Sequence, residues 1–158
     1  MIAQPARLFR VFSLAITVLA ISACASNPAD TASSQAAQKG QRAAMVALDQ
    51  VGVPYRYGGS TPQGFDCSGL VQFSYSRAGV SVPRTTGQLW SASTTVGEDD
   101  LRAGDILFFR IDGKMSHVAM YVGDRRFVHA PQSGRRVSVD SLESPFYNAA
   151  LIRAGRPY

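Results

Sequence analysis

The order of apolar and polar positions along the chain predicts helices in its first half and strands in its second. Apolar side chains recur at helical spacing over residues 41–50, and Gly52 follows them as a stop. A second helix should begin after Asp66, a favourable N-cap, and end before Gly79. Runs rich in apolar and β-branched residues predict antiparallel strands over residues 105–110, 117–122, 126–130 and 150–153. Helices followed by strands indicate an α+β fold with N-terminal helices packed on an antiparallel sheet.

The second predicted helix carries its apolar side chains on one face. The positions that form this stripe are Cys67, Leu70, Val71, Ser74, Tyr75 and Ala78. Cys67 therefore lies in the first turn of the helix and faces the predicted sheet. Because the partial positive charge of a helix N-terminus stabilises a thiolate, we expect the pKa of Cys67 to be lowered and its thiol to be reactive. The alternative is a buried, inert cysteine.

The N-terminus has the pattern of a secretory signal. Arg7 and Arg10 precede an apolar run over residues 11–21, which is short for a membrane-spanning helix. Small residues then lead into Cys24, as in the cleavage box of bacterial lipoproteins, in which the cysteine is lipidated and becomes the first residue. An ordinary signal peptide and a single membrane anchor are the alternatives. The lipoprotein interpretation predicts attachment to a membrane surface through lipid on Cys24.

These features divide the chain into three segments. We expect a lipoprotein signal peptide over residues 1–23, the lipidated cysteine with a flexible linker over 24–39, and one globular domain over 40–158. A composition of 46% hydrophobic and 17% charged residues fits a folded domain and excludes a disordered chain. Loss of Arg7 and Arg10 with the signal lowers the formal net charge of +5 by two, which gives no support to nucleic acid binding. We expect a monomer.

A catalytic thiol needs a base, and the chain contains 2 histidines, both in predicted strands. If the strands 117–122 and 126–130 are joined by a three-residue loop, His129 lies opposite Ala119, on the face that carries His117. A four-residue loop would place His129 on the other face. A catalytic pair of histidines therefore requires an odd loop or a bulge at this connection.

With both imidazoles on one face, the chain has the three parts of a nucleophilic site. His117 can take the proton of Cys67 while His129 accepts a hydrogen bond from the other nitrogen of His117 and fixes its tautomer. Each histidine alone could instead be an ordinary core or surface residue. A zinc site made by the same three side chains is a further alternative, but no CxxC, HxxxH or nearby acidic ligand accompanies them. We therefore expect no metal and no other cofactor.

Six motifs occur in an order and at a spacing that one protein family shares. They are PYRYGG at 54–59, FDCSGLV at 65–71, PRT at 83–85, GDILFF at 104–109, SHVAMYVG at 116–123 and VHA at 128–130. By these motifs the domain resembles the NlpC-type cell-wall peptidases, which are small papain-like cysteine hydrolases of bacterial envelopes. The resemblance covers nearly all of residues 40–158 and implies a papain-like α+β fold.

The same resemblance implies a role for each matching residue. Cys67 would be the nucleophile, His117 the general base and His129 the third polar residue, while Tyr55 would border the site and help to hold an oxyanion. Peptide substrates of this family carry free carboxylates, which arginine binds well, so we expect Arg84 to contact substrate. A solvated surface charge is the alternative for Arg84.

The resemblance also implies peptidoglycan stem peptides as the substrate. The small lipoprotein layout is most similar to murein endopeptidases that cut D-alanyl–diaminopimelate cross-links. A D,L-endopeptidase that cuts γ-D-glutamyl–diaminopimelate, a non-catalytic wall-binding module and acyl transfer to another acceptor are the alternatives. Ala25, which stands where an aspartate would favour the inner membrane, predicts a periplasmic domain anchored to the outer membrane of a Gram-negative host.

Overall fold

The computed structural model of this chain describes residues 28–157. The predicted signal peptide and Cys24 lie outside the described residues. In chain order the elements are α1 (Pro28–Leu48), β1 (Ser60–Thr61), β2 (Gly64–Phe65), α2 (Cys67–Arg77), α3 (Thr86–Ala92), β3 (Thr94–Val96), β4 (Ile106–Ile111), β5 (Lys114–Gly123), β6 (Arg126–His129), β7 (Ser138–Ser141), α4 (Pro145–Ala150) and β8 (Leu151–Arg156).

Six of the strands form one antiparallel sheet in the order β3-β8-β4-β5-β6-β7, and β1 and β2 form a separate short hairpin. The four predicted strands correspond to β4, β5, β6 and β8, and the helix predicted after Asp66 is α2. These matches confirm the α+β fold. The sequence did not predict β1, β2, β3, β7, α3 or α4, because these elements are too short to show a periodic pattern.

The two faces of the large sheet bury separate apolar clusters. Helices α1 and α2 pack against one face, whose buried strand residues are Ile106, Phe108, Val118, Met120 and Val128. Helix α4 packs near the other face, whose buried strand residues are Leu107, Phe109, Ala119, Tyr121, Phe127 and Ala154. Successive strand residues alternate between the two clusters because side chains on a strand point to opposite faces.

Helix α1 begins much earlier than the sequence pattern predicted. The flexible linker expected up to residue 39 is helical from Pro28 onward, whereas the predicted helix began at Gln41. Residues 31–35 are exposed in this helix, so their side chains show no apolar periodicity. The segment is rich in alanine and glutamine, which favour helix without a buried face. Only the last part of α1 enters the core, through Ala43, Ala44 and Ala47.

The connection between β5 and β6 contains the irregularity that a histidine pair requires. Gly123 pairs with Arg126 across a two-residue turn, and both turn residues, Asp124 and Arg125, have positive φ values, of 50° and 53°. The register then shifts, so that Tyr121 pairs with Phe127. The bulge compensates for the short turn and gives the register that a three-residue loop would give. The prediction of an odd loop or a bulge is confirmed.

Over residues 28–157, no helix combines the length and the apolar character that crossing a bilayer requires.

Candidate active site

Cys67 is the first residue of α2, and its position is fixed by the turn before it. Asp66 caps the helix, since its Oδ1 accepts the Gly69 N–H at 2.7 Å. Its Oδ2 accepts the backbone N–H of Gly58 at 3.0 Å. Position 69 accepts only glycine, because a Cβ there would collide with the carbonyl oxygen of Gly59. The start of α2 is therefore held tightly against the loop at residues 58–59.

The thiol of Cys67 lies against the edge of β5. Its Sγ is 4.0 Å from the carbonyl oxygen of Ser116, and the backbone N–H of Val118 also bonds to it. Strand β6 ends at His129, so this part of the β5 edge is open to the helix. The nucleophile candidate thus sits beside the backbone on either side of His117.

Burial shifts the pKa of Cys67 in the direction opposite to the sequence expectation. Loss of water around the half-buried thiol raises its pKa above the ordinary value of 9.0, and the carboxylate of Asp66 raises it further. Hydrogen bonds from Val118, Thr86 and the backbone of Ser68 oppose this shift without reversing it. The prediction of a lowered pKa was wrong because desolvation outweighs the helix terminus. At neutral pH Cys67 of the free protein is therefore a thiol, and a base must take its proton to form the thiolate.

The structure brings the two histidines into direct contact. Nε2 of His117 lies 2.7 Å from Nδ1 of His129. Their side chains are among the few buried polar groups, with exposures of 5% for His117 and 1% for His129. The bulged register of β5 and β6 produces this contact, since His129 follows Val128, which pairs with Met120.

Both imidazoles are held in the neutral form. Burial lowers the pKa of His117 to about 3, and the neighbouring His129 contributes to the shift. Burial also lowers the pKa of His129, although a hydrogen bond to Asp140 and the charge of that carboxylate oppose the change. A neutral imidazole has one bare nitrogen, so this pair can accept a proton.

Asp140, which was not among the predicted site residues, contacts the far side of His129. Its Oδ2 lies 2.7 Å from Nε2 of His129. Strand β7 brings it there, because β7 pairs with β6 and places Asp140 opposite Phe127, on the face that carries His129. The alternation of Val137 and Val139 with polar residues was the available signal for this strand.

Aromatic rings enclose the histidine pair on the α4 side of the sheet. His129 makes edge contacts with Phe127, at 5.2 Å between ring centroids, and with Tyr147 of α4, at 5.5 Å. Phe109 packs against His117 at 6.0 Å. These rings exclude water from His129 and account for the desolvation that lowers its pKa. Tyr147 also escaped the sequence analysis, because α4 has only six residues.

Tyr55 lies on the loop before β1. Its backbone N–H bonds to the carbonyl oxygen of Arg135 at 2.9 Å. Partial burial raises the pKa of its phenol, and the side chains of Cys67 and Asp66 raise it further. The phenol is therefore protonated at neutral pH, and its role in holding an oxyanion stays a prediction.

Arg84 is engaged by groups of the protein itself. One guanidinium nitrogen lies 2.7 Å from Oδ2 of Asp66 and the other donates to Ser68 Oγ at 2.9 Å. This hydrogen bond to Asp66 raises the pKa of Arg84. Its charge is thus compensated, and Arg84 ties the segment before α3 to the start of α2. A contact between Arg84 and substrate stays a prediction.

A cleft of about 210 Å³ opens beside the two histidines. Arg135, Phe146 and Tyr147 form part of its wall, and Phe146 is 59% exposed. Within residues 28–157, no group of three or more His, Cys, Asp or Glu side chains has an arrangement that could hold a metal ion. His117, His129 and Asp140 form a hydrogen-bonded row.

Comparison with protein families and with characterised proteins gives one consistent result. The model of the NlpC/P60 family matches residues 52–156. Murein DD-endopeptidase MepH of Escherichia coli is 35% identical over 128 residues, which are 75% of this chain and 47% of MepH. The bifunctional muramidase/DL-endopeptidase CwlT of Bacillus subtilis is 40% identical over 114 residues, which are 70% of this chain and 34% of CwlT. The chain thus spans less than half the length of either relative.

Solved structures have the same fold. NlpC2 from Trichomonas vaginalis matches with a TM-score of 0.69 and 32% identity, over 75% of this chain and 46% of that one. The NlpC/p60 domain of the peptidoglycan hydrolase SagA matches with a TM-score of 0.64 and 34% identity, over 73% of this chain and 97% of that domain.

Proposed function

This chain belongs to the NlpC/P60 family, and from that membership we propose that it is a cysteine peptidase that hydrolyses peptide bonds in peptidoglycan. The observation that carries the proposal is the buried pair His117 and His129 in direct contact at 2.7 Å, beside the strand edge that receives the Cys67 thiol. A structural cysteine would need no such pair, whereas a thiol with a raised pKa needs a base to become a nucleophile.

The proposed reaction has two halves. His117 takes the proton of the Cys67 thiol as the sulfur attacks the scissile carbonyl carbon, and it then gives that proton to the leaving amine. The C–N bond breaks, which leaves a thioester on Cys67. His117 next takes a proton from water, the hydroxide displaces the sulfur, and the product carboxylic acid and the thiol are formed.

Two donors are suited to stabilising the oxyanion of each tetrahedral intermediate. The backbone N–H of Cys67 belongs to the first turn of α2, where amides have no partner within the helix. The phenol of Tyr55 is the second donor, since its raised pKa keeps it protonated. Preorganised donors of this kind typically contribute a rate factor of about 100 to 1,000 each.

We assign the cleaved bond to the D-alanyl–diaminopimelate cross-link. MepH, named as a murein DD-endopeptidase, matches 75% of this chain and supports the assignment. The γ-D-glutamyl–diaminopimelate bond is the second candidate, and the similarity to CwlT, named in part as a DL-endopeptidase, supports it.

The proposal is tested with the full chain in detergent and purified diaminopimelate-type peptidoglycan, with products identified by mass spectrometry. Loss of cross-linked dimers is the expected result, and truncated stems ending at D-glutamate would replace the D,D assignment by the D,L one. Cys67→Ala should abolish product formation. Cys24→Ser, which changes the other of the 2 cysteines, is the matched control and should retain activity. A protein that sediments with the wall but forms no product would overturn the enzyme in favour of a binding module.

We propose further that Cys24 is lipidated and anchors the domain to the periplasmic side of the outer membrane. The support is the signal-like pattern of the sequence, with Arg7 and Arg10 before an apolar run and Ala25 after the cysteine. In a Gram-negative host, Cys24→Ala should release the protein from the membrane fraction. Ala25→Asp should move it from the outer to the inner membrane. An unchanged distribution in both variants would exclude the lipid anchor.

A further inference from the structure

Three side chains form one continuous row of hydrogen bonds behind the thiol. Nε2 of His117 is 2.7 Å from Nδ1 of His129, and Nε2 of His129 is 2.7 Å from Oδ2 of Asp140. Each neutral imidazole has one N–H and one bare nitrogen. The direction of the hydrogen bond at one end of the row therefore fixes the direction of every other bond in it.

Asp140 sets that direction because a carboxylate only accepts hydrogen bonds. Nε2 of His129 must then carry the proton and donate it, which leaves Nδ1 of the neutral ring bare. This bare nitrogen accepts from Nε2–H of His117. The remaining nitrogen of His117, Nδ1, is consequently bare and is the one that can take a proton from the nucleophile.

We propose that Asp140 is a positioning residue that fixes the tautomers of both histidines, so that His117 presents a bare Nδ1 to the thiol of Cys67. This role rests on the proposed peptidase function for its catalytic consequence. The assignment of the tautomers is independent of that function, because the three side chains determine the tautomers by themselves.

The surroundings of Asp140 favour this role over a purely structural one. Among residues 28–157, His129 is the only side chain with which Asp140 forms an ion pair, so its carboxylate does not hold an arginine in place. The Ser138 hydroxyl donates to the same Oδ2 at 3.5 Å, a long contact. The carboxylate remains 41% exposed to solvent, so its removal leaves no large cavity.

Without the carboxylate, the row of hydrogen bonds can reverse. Nδ1–H of His129 could then donate to Nε2 of His117, and the proton of His117 would sit on Nδ1. That tautomer cannot take a proton from Cys67. The carboxylate also stabilises the positive charge that His117 acquires during the reaction, through the intervening ring of His129. Both effects act on kcat and leave substrate contacts unchanged.

The test compares wild type, Asp140→Ala and Asp140→Asn in the full chain in detergent. The first readout is the ¹⁵N NMR spectrum of the histidine rings, which distinguishes a bare nitrogen from a protonated one and requires no substrate. Wild type should show Nδ1 bare in both rings. In Asp140→Ala the opposite tautomer should appear in both rings, and Asp140→Asn, which keeps an acceptor oxygen, should show less of it.

The second readout is turnover of diaminopimelate-type peptidoglycan. Asp140→Ala should lower kcat about 10- to 100-fold, with KM unchanged within about twofold. Asp124→Asn is the matched control, since Asp124 lies in the exposed turn between β5 and β6, and should leave both readouts at the wild-type level. Circular dichroism establishes whether each variant is folded. If Asp140→Ala does not fold, the test is decided with Asp140→Asn alone.

The outcomes separate the two proposals. Wild-type tautomers in the Asp140 variants overturn the positioning role, whether or not kcat falls, and so does an unchanged kcat in an active enzyme. A wild type that forms no product overturns the peptidase function instead, and the NMR spectra still decide whether Asp140 orders the rings.

Discussion

Cys67 is a cysteine at a helix start whose thiol is nevertheless harder to ionise than an ordinary one. Desolvation raises its pKa, and the same desolvation lowers the pKa of His117 to about 3. Both shifts favour the neutral thiol and imidazole over the ion pair in the free protein. Transfer of the thiol proton to His117 should therefore accompany attack on the substrate. Towards other electrophiles, Cys67 should react slowly.

Alkylation of Cys67 by iodoacetamide tests this property. Its rate should rise about tenfold per pH unit from pH 6 to 9 without a plateau, because the thiolate is the reacting species and the pKa lies above 9.0. Mass spectrometry of the peptide containing Cys67 separates it from Cys24, and an unstructured peptide of residues 65–71 is the control. A plateau near neutral pH would mean that a thiolate is already present.

Arg84 shows how the tertiary structure adds to what local sequence indicates. Arg84 has the charge to bind a substrate carboxylate, yet in the fold its guanidinium contacts Asp66 at 2.7 Å. Nothing near Arg84 in the sequence identifies this partner, which is an N-cap residue of another element. The assignment of a charged side chain to substrate or to structure depends on what the chain brings beside it.

At the scale of elements, the β5–β6 hairpin decides which face carries His129. Its two-residue turn alone would leave the wrong pairing, and the bulge before it restores the face shared with His117. Strand β7 then adds Asp140 to the same face. The hydrogen-bonded row of His117, His129 and Asp140 is thus a property of three adjacent strands and not of one motif.

The turn itself carries strain that a substitution can remove. Arg125 has φ of 53°, a left-handed conformation that costs about 1 kcal/mol for a residue with a Cβ. Arg125→Gly should therefore raise the free energy of unfolding by up to about 1 kcal/mol, since Asp-Gly suits this turn. Urea unfolding followed by circular dichroism measures the change.

Arg126→Gly is the matched control, because it makes the same replacement one residue later, at the start of β6. There glycine should lower the stability by about 0.5 to 1 kcal/mol, because it is unfavourable within a strand. Equal effects of the two variants would show that the conformation of Arg125 carries no strain.

At the scale of the whole molecule, the sheet holds two neutral imidazoles between an apolar cluster and α4. The unfolded chain protonates a histidine near pH 6.5, whereas folded His117 stays neutral down to about 3. Below pH 6.5 the unfolded state therefore binds protons that the folded state does not. Stability must fall as the pH is lowered through this window.

We expect the free energy of unfolding to decrease by about 3 to 5 kcal/mol from this cause as the pH falls from 6.5 towards 3. His117→Gln, which cannot take up a proton, should lose much of this dependence between pH 6.5 and 4. Chemical unfolding at a series of pH values gives both curves. Parallel curves for wild type and variant would contradict the origin in His117.

Much of the architecture follows from local patterns. The stripe from Cys67 to Ala78 predicts α2 and the inward thiol, because helical periodicity is a local property. Strand alternation predicts that His117 and His129 share a face if their connection is an odd loop or contains a bulge, and the structure shows the bulge. The start of α1 could not be predicted in this way, because its exposed first half is helical through propensity and has no apolar face.

The sequence by itself predicted α2 and the strands β4, β5, β6 and β8, and it singled out Cys67, His117 and His129 as candidates, because spacing along a helix or strand is fixed by backbone geometry. Only the tertiary structure decided their partners and their electrostatics. Asp140 behind His129, Asp66 on Arg84 and the raised pKa of Cys67 all arise from packing between different elements. Burial removes water around these groups, and no local pattern records which element will cover a given side chain.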